Sequence, residues 1–124
     1  MKLKDALSNL SDITIDNDFV LRLEKMYDTT LPEDIKRVIS INKDTMPYDD
    51  FSLLRGLSHA EIEEASGDMA VDFIENGLLP VFDVGDNDYI VFDIREKVWY
   101  RYNIVDEVKF CKVFSLLEYF HGVE

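Results

Sequence analysis

The residues best equipped for chemistry are acids. Asp83, Asp86, Asp88 and Asp93 crowd into one short stretch. Carboxylate oxygens in such a run are what Ca²⁺ or Mg²⁺ takes. The spacing, however, lacks the alternating acids, central Gly and closing Glu of a calcium loop. The stretch therefore reads as a solvated hairpin tip with its strand ends. Glu63-Glu64 and Asp49-Asp50 are adjacent carboxylates. They could divide general-acid and general-base work only inside a cleft that drives their pKa values apart. Cys111 is the one thiol, and His59 and His121 are the only imidazoles. A nucleophilic Cys–His pair needs hydrogen-bond reach, and nothing local supplies it. Cys111, among Phe110, Val113 and Phe114, reads as a buried structural thiol. His59, following Ser58, reads as a surface residue. Two histidines without matching cysteines give no zinc signature. The chain also has no Gly-rich phosphate loop, no G-x-S-x-G elbow and no H-E-x-x-H. The expectation is a non-enzyme without metal or cofactor.

Charge says more. Asp and Glu number 26 against 13 Lys and Arg, a net charge of -13. Nucleic acids and anionic membranes call for the opposite sign, so direct binding to either is disfavoured. A basic protein partner fits, as does plain solubility. From Gly56 to Ile94 there is no Lys or Arg. The same stretch holds Glu61, Glu63, Glu64, Asp68, Asp72, Glu75, Asp83, Asp86, Asp88 and Asp93. Tyr89 sits beside its acidic turn, and tyrosine with acids makes an interface patch for a basic protein. The candidate partner-binding residues are thus Asp83, Asp86, Asp88 and Tyr89, with Asp49 and Asp50 as a second group. Tyr89 reads equally well as a half-buried strand tyrosine.

The elements that must position these residues follow from periodicity. The chain has 124 residues, about one domain. One cysteine cannot form an internal disulfide. No apolar run approaches the roughly 20 residues of a membrane helix, and the N-terminus lacks the apolar core of a signal peptide. A soluble, reduced, cytoplasmic protein is expected. Leu3, Ala6, Leu7 and Leu10 form one helical stripe. Phe19, Val20, Leu23, Met26 and Tyr27 form a stronger one behind the cap types Asp16, Asn17 and Asp18. Thr30 and Glu33 have capping-box spacing with Pro32 in the first turn, ahead of Ile35, Val38 and Ile39. Residues 42–50 read as a loop around Pro47, and 51–54 as a strand. Ser58 and Glu61 repeat the capping box. Gly67 interrupts the helix they start, and a second short helix over 68–75 stops at Asn76-Gly77.

The period then changes. Residues 78–84, 89–94 and 98–102 are β-branched and aromatic runs separated by turn chemistry at 85–88 and 95–97. Ile104, Val105 and Val108 could extend the sheet. Ser115 and Glu118 start a closing helix with Val113, Leu116, Leu117 and Phe120 inward. Short connections imply antiparallel pairing. The fold class is α+β, with a meander sheet of about four to five strands packed with N-terminal helices and a C-terminal helix, in a single domain over 1–124. A monomer is expected, with an exposed sheet edge able to pair into a weak homodimer.

The order of these pieces resembles the SUKH superfamily, which includes yeast cell-wall assembly regulators and many bacterial immunity proteins. Leu23-Glu24, Leu31-Pro32-Glu33-Asp34-Ile35 and Ile41-Asn42 resemble its helix, Leu-Pro turn and second helix. Leu53-Leu54, Leu57-Ser58 and Glu61-Ile62 resemble its short strand and helix start. Leu79-Pro80-Val81-Phe82, Gly85-Asp86 and Tyr89-Ile90-Val91-Phe92-Asp93 resemble its strand, turn and strand ending in Asp. Val98-Trp99-Tyr100 and Phe114-Ser115-Leu116-Leu117-Glu118-Tyr119-Phe120 resemble its last strand and closing helix. Lys43 departs from the pattern, where the family carries Gly. The resemblance implies a binding protein, not an enzyme: an immunity protein that neutralises a cognate polymorphic or contact-dependent toxin, often a nuclease. An acidic surface suits that role, because a nuclease site must be basic to hold phosphate. The alternative is a regulatory interaction module of the cell-wall assembly regulator type. A small metal-dependent hydrolase would instead need convergent carboxylates in a deep cleft.

Overall fold

The computed structural model describes residues 8–41, 55–113 and Leu116. The 42–50 loop with Asp49 and Asp50, the 51–54 strand, most of the first helical stripe and most of the closing helix lie outside the described residues.

Asp16 caps the helix α1 (Asn17–Tyr27). Its Oδ1 accepts from the Phe19 N–H at 3.2 Å, which satisfies one donor that every helix start leaves open. Phe19, Val20 and Leu23 face inward, and Asp28 ends the helix in the left-handed region at φ 49°. The next helix, α2 (Glu33–Ile39), buries Ile35, Val38 and Ile39. The expected Thr30–Glu33 capping box does not form. Pro32 takes the cap position, and no side chain bonds there. Glu24 of α1 reaches across instead, its Oε2 accepting from the Leu31 N–H at 2.8 Å.

The second capping box does form. Ser58 Oγ accepts from the Glu61 N–H, and Glu61 Oε1 accepts from the Ser58 N–H, at the head of α3 (His59–Met69). Gly67 does not interrupt this helix: its position opens onto space, with nothing within 4 Å of an added Cβ. A glycine weakens a helix without stopping it. The stop is Ala70, left-handed at φ 54°. The short α4 (Phe73–Asn76) is capped by Asp72, and Gly77 ends it at φ 68°. Gly77 answers two demands. Its φ is positive, and a Cβ would lie 3.2 Å from Arg95 Nε. Arg95 lies close there because its Nη2 donates to the Glu75 carbonyl at 2.6 Å.

Five strands follow the order β1 (Arg55–Gly56), β2 (Leu78–Gly85), β3 (Asp88–Asp93), β4 (Val98–Asn103), β5 (Val108–Val113), every neighbour antiparallel. Pro80 sits inside β2, a central strand. It is tolerated there because the register slips between Pro80 and Phe82, the kind of bulge where a missing N–H does least harm. The Val81 carbonyl exposed by the slip accepts from the Leu57 N–H at 2.9 Å. Alternation along the strands builds two cores. Ile90, Phe92 and Trp99 pack with α1 and α2 on one face. Val91, Val98, Tyr100 and Tyr102 pack with Ala65, Val71 and Phe73 on the other.

Three hairpins connect the meander. Gly85 pairs with Asp88, leaving a two-residue loop in which Asp86 and Asn87 have φ 54° and 65°. That is the twist a tight hairpin requires. The other two loops have four residues and the same plan. Asp93 Oδ1 accepts from the Arg95 and Glu96 N–H groups, both at 2.9 Å. Ten residues later, Asn103 Oδ1 accepts from Val105 and Asp106 at 3.0 and 2.9 Å. Each loop closes on a left-handed residue, Lys97 or Glu107. Ile104 and Val105 therefore belong to a turn, and only Val108 extends the sheet. The asparagine side chain bends the backbone back sooner than a β-branched run suggests.

Candidate functional site

The acids of the cation-free stretch divide into two sets. Half are held by cations from outside it. Arg55 grips Glu61 with both terminal nitrogens at 2.9 Å, and its Nη2 reaches Asp83 Oδ2 at 3.2 Å. Arg22 meets Glu63 at 2.8 Å. Arg101 Nε donates to Asp88 at 2.7 Å, and Lys109 Nζ to Asp93 at 2.9 Å. The other half, Glu64, Asp68, Asp72, Glu75 and Asp86, is exposed. Among the described residues no cation pairs with them.

This division separates the residues singled out from sequence. Asp83 is partly buried: Oδ1 accepts from the Gly85 N–H at 2.9 Å and Oδ2 faces Arg55. Asp88 is only 7% exposed. Its two oxygens take Arg101 Nε and, at 2.8 Å, Asn103 Nδ2. Asp88 was expected at an exposed tip. It turns inward because strand alternation sets it on the same face as Ile90 and Phe92. Tyr89 is half-buried between Asp83 and Tyr102 in register and packs against both cores. Asp86 alone of the four is exposed.

Two further expectations are corrected. His59 is buried, not superficial: its ring stacks on Phe19 at 3.8 Å between centroids, with 3° between planes. Its Nδ1 lies 3.6 Å from Asp16 Oδ2. The helix that Ser58 caps begins against the head of α1, and this directs its first side chain inward. Cys111 is exposed. The register between β4 and β5 slips between the Trp99–Val113 and Arg101–Phe110 pairs. Cys111 sits in this bulge at φ 53°. β5 is exposed on both faces from Val108 to Lys112, so neither side of this strand buries a side chain.

The bulge also organises charge. Lys109 and Lys112 are three apart and would point to opposite faces of a regular strand. The extra residue brings both to one carboxylate, Glu96, each at 3.2 Å. Tyr100 donates its hydroxyl to Glu96 at 2.9 Å, and Lys109 lies over the Tyr100 ring, 4.6 Å from its centroid. Donation from Tyr100, then from Lys112 and Lys109, pulls the Glu96 carboxyl down to about 2. The Asp93 hydrogen bond, ahead of the opposing cost of burial, raises Lys109. The Glu61 carboxyl is lowered chiefly by its hydrogen bonds to Arg55.

Sequence reading missed the residues at the opposite end of the sheet. Val105, Val108 and Phe110 are large apolar side chains left exposed, Val105 at 68%. Asp106 and Glu107 are exposed between them. The one signal was Val-Asp-Glu-Val after an asparagine, an acidic turn inside an apolar run. A groove of about 590 Å³ also opens between α1 and α3, lined by Asp16, Asp18, Arg22, Met26, His59, Ala60, Glu63 and Glu64. Among the described residues no group of three or more His, Cys, Asp or Glu converges to hold a metal ion. No described helix is long and apolar enough to cross a membrane. Among the described residues the surface thus presents unpaired carboxylates and, at the loop after β4, exposed apolar side chains beside them.

Comparison with protein-family models, curated proteins and solved structures finds no match to the chain.

Proposed function

We propose that this chain is a non-catalytic binding protein, an immunity protein of the SUKH kind that neutralises a cognate toxin. The toxin is a basic domain, with a nuclease as the first choice. The observation that supports this is the carboxylate left over after internal pairing: Glu64, Asp68, Asp72, Glu75 and Asp86, joined by Asp106 and Glu107 outside the cation-free stretch. Cations from outside the stretch pair with its other five acids, so these exposed acids contribute directly to the net charge of -13. A phosphate-binding site must present Lys or Arg. An acidic protein enters it as substrate does, and long-range attraction speeds the encounter.

The test is co-purification with the product of the adjacent gene, assayed for toxin activity. The expected outcome is a stoichiometric complex in which the toxin is inactive. Association should slow by about tenfold or more as salt rises from low to physiological strength, because steering is screened over about 8–10 Å. An affinity indifferent to salt removes acidic mimicry as the mechanism. Failure to bind that toxin, with retention of several endogenous regulatory proteins instead, favours the regulatory-module reading.

A further inference from the structure

The proposed function leaves the binding face unassigned. We propose that it is the corner of the sheet formed by Val105, Val108 and Phe110 with Asp86, Asp106 and Glu107, and that it takes a basic protein surface carrying its own apolar contact. This deepens the acidic-binder reading and rests on it.

Strand register assembles the corner. Asp88, Asn103 and Val108 form one cross-strand row, and Ile90, Arg101 and Phe110 the next. Both rows lie on the face that carries the α1–α2 core. Toward α1 that face buries Ile90, Phe92 and Trp99. At its far corner Val108 and Phe110 remain exposed, at 50% and 39%. The Asn87 carbonyl accepts from the Ile104 N–H at 2.9 Å, which fastens the Asp86 loop to the Val105–Glu107 loop. Asp86, Asp106 and Glu107 thus share one end of the sheet with the apolar side chains. Arg101, in the Phe110 row, is committed: its Nε is on Asp88, and its guanidinium carbon lies 5.9 Å from the Phe110 ring centre.

An exposed apolar centre bordered by unpaired charge of one sign has the anatomy of an interface core and rim. The rim sets the partner's chemistry. A second copy would bring Asp86, Asp106 and Glu107 against their own kind, and each copy carries -13. The neighbouring edge of β5 is guarded against strand pairing by its bulge and by Lys109 and Lys112, the usual devices for that purpose. A basic surface meets no such opposition.

The experiment selects phage-displayed random dodecapeptides on the full chain, then maps the winners by backbone amide shifts. The expected winners carry Lys or Arg with an aromatic or aliphatic residue. Their shifts fall on 86–88 and 103–110. Val105→Asp, in an exposed turn where folding is not at risk, weakens them about tenfold or more, and Phe110→Ser does the same. Asp12→Asn, in the exposed turn ahead of α1, leaves them unchanged. Cationic winners that map to α3 and α4 overturn this face and leave the acidic-binder reading standing. Winners without cationic residues, or no winners, overturn both. A dimer in solution that Val105→Asp dissociates overturns the proposal in favour of a second copy. Nuclear Overhauser contacts from the Phe110 ring to residues 117–124 would do so in favour of the chain's own end.

Discussion

Two turns of this protein share one backbone and spend their charges differently. Asp93 to Val98 and Asn103 to Val108 are four-residue loops in the same conformation, each held by an Asx oxygen that accepts two backbone N–H groups. In the first, the remaining carboxylate oxygen takes Lys109, and the acid at the third loop position, Glu96, takes Lys109, Lys112 and Tyr100. In the second, the Asn103 amide turns to Asp88. The acid at the same third position, Asp106, is exposed, and no described cation meets it. The first loop is a staple built of ions. The second keeps the same fold without them and leaves its charge outward. Turn geometry is thus indifferent to whether a loop serves stability or recognition. The cations that arrive from the neighbouring strand decide.

The comparison breaks most clearly at the two Asx residues. Asp93 is 3% exposed and accepts from two amides and an ammonium. Asp93→Ala leaves those donors without their acceptor and should cost about 2–3 kcal/mol in urea unfolding. Asn103→Ala should cost about 1–2 kcal/mol, because only the loop amides and the neutral donor to Asp88 are lost. Equal losses would mean that Lys109 contributes nothing and that the two turns do not differ in energy.

The pH response sharpens the same contrast. The folded Glu96 carboxyl lies at about 2, below its ordinary value of 4.5. A lowered folded value contributes stability that is fully present above the unfolded value and is lost as pH falls through the folded one. The urea midpoint should therefore drop between about pH 4.5 and 2, and Glu96→Gln should flatten part of that drop. High salt should shrink the Glu96 contribution, since this carboxylate remains near water. A midpoint whose acid limb is the same with and without Glu96 would dismiss the lysine pair as a stabilising device.

Where the two turns are alike, they should respond alike. Lys97 and Glu107 both hold φ near 60°, at 60° and 53°. Glycine enters that region without the side-chain penalty. Lys97→Gly and Glu107→Gly should each stabilise by up to about 1 kcal/mol, less the entropy glycine adds to the unfolded chain. A gain at one turn only would show that the backbones differ in strain.

Much of this was legible before any coordinates. The meander, the Asp86-Asn87 hairpin, the Ser58–Glu61 capping box and the Gly77 stop are local patterns, set by residues within four positions of one another. What sequence did not yield depends on partners far along the chain. The cation-free stretch reads as one acidic block, yet Arg22, Arg55, Arg101 and Lys109 neutralise half of it from outside. Asp88 looks like a loop acid and is buried by its register. His59 looks superficial and is stacked on Phe19, forty residues earlier. The candidate face escaped notice because Asp86 lies on one loop and its other members on a later loop and the start of β5, brought together by strand register.

The smallest expected effect concerns Cys111, the residue whose reading was most fully reversed. A buried thiol is silent to reagents and costly to truncate. Cys111 is instead exposed, in a bulge, at φ 53°. Cys111→Ser should change stability by less than about 0.5 kcal/mol, as at most surface positions. A disulfide reagent should label the folded chain with no need for unfolding. The label then becomes a ruler for the bulge. If Cys111 resists until the chain unfolds, β5 runs without its slip. Lys109 and Lys112 would then point apart, and the ion cluster that distinguishes the first turn from the second could not form.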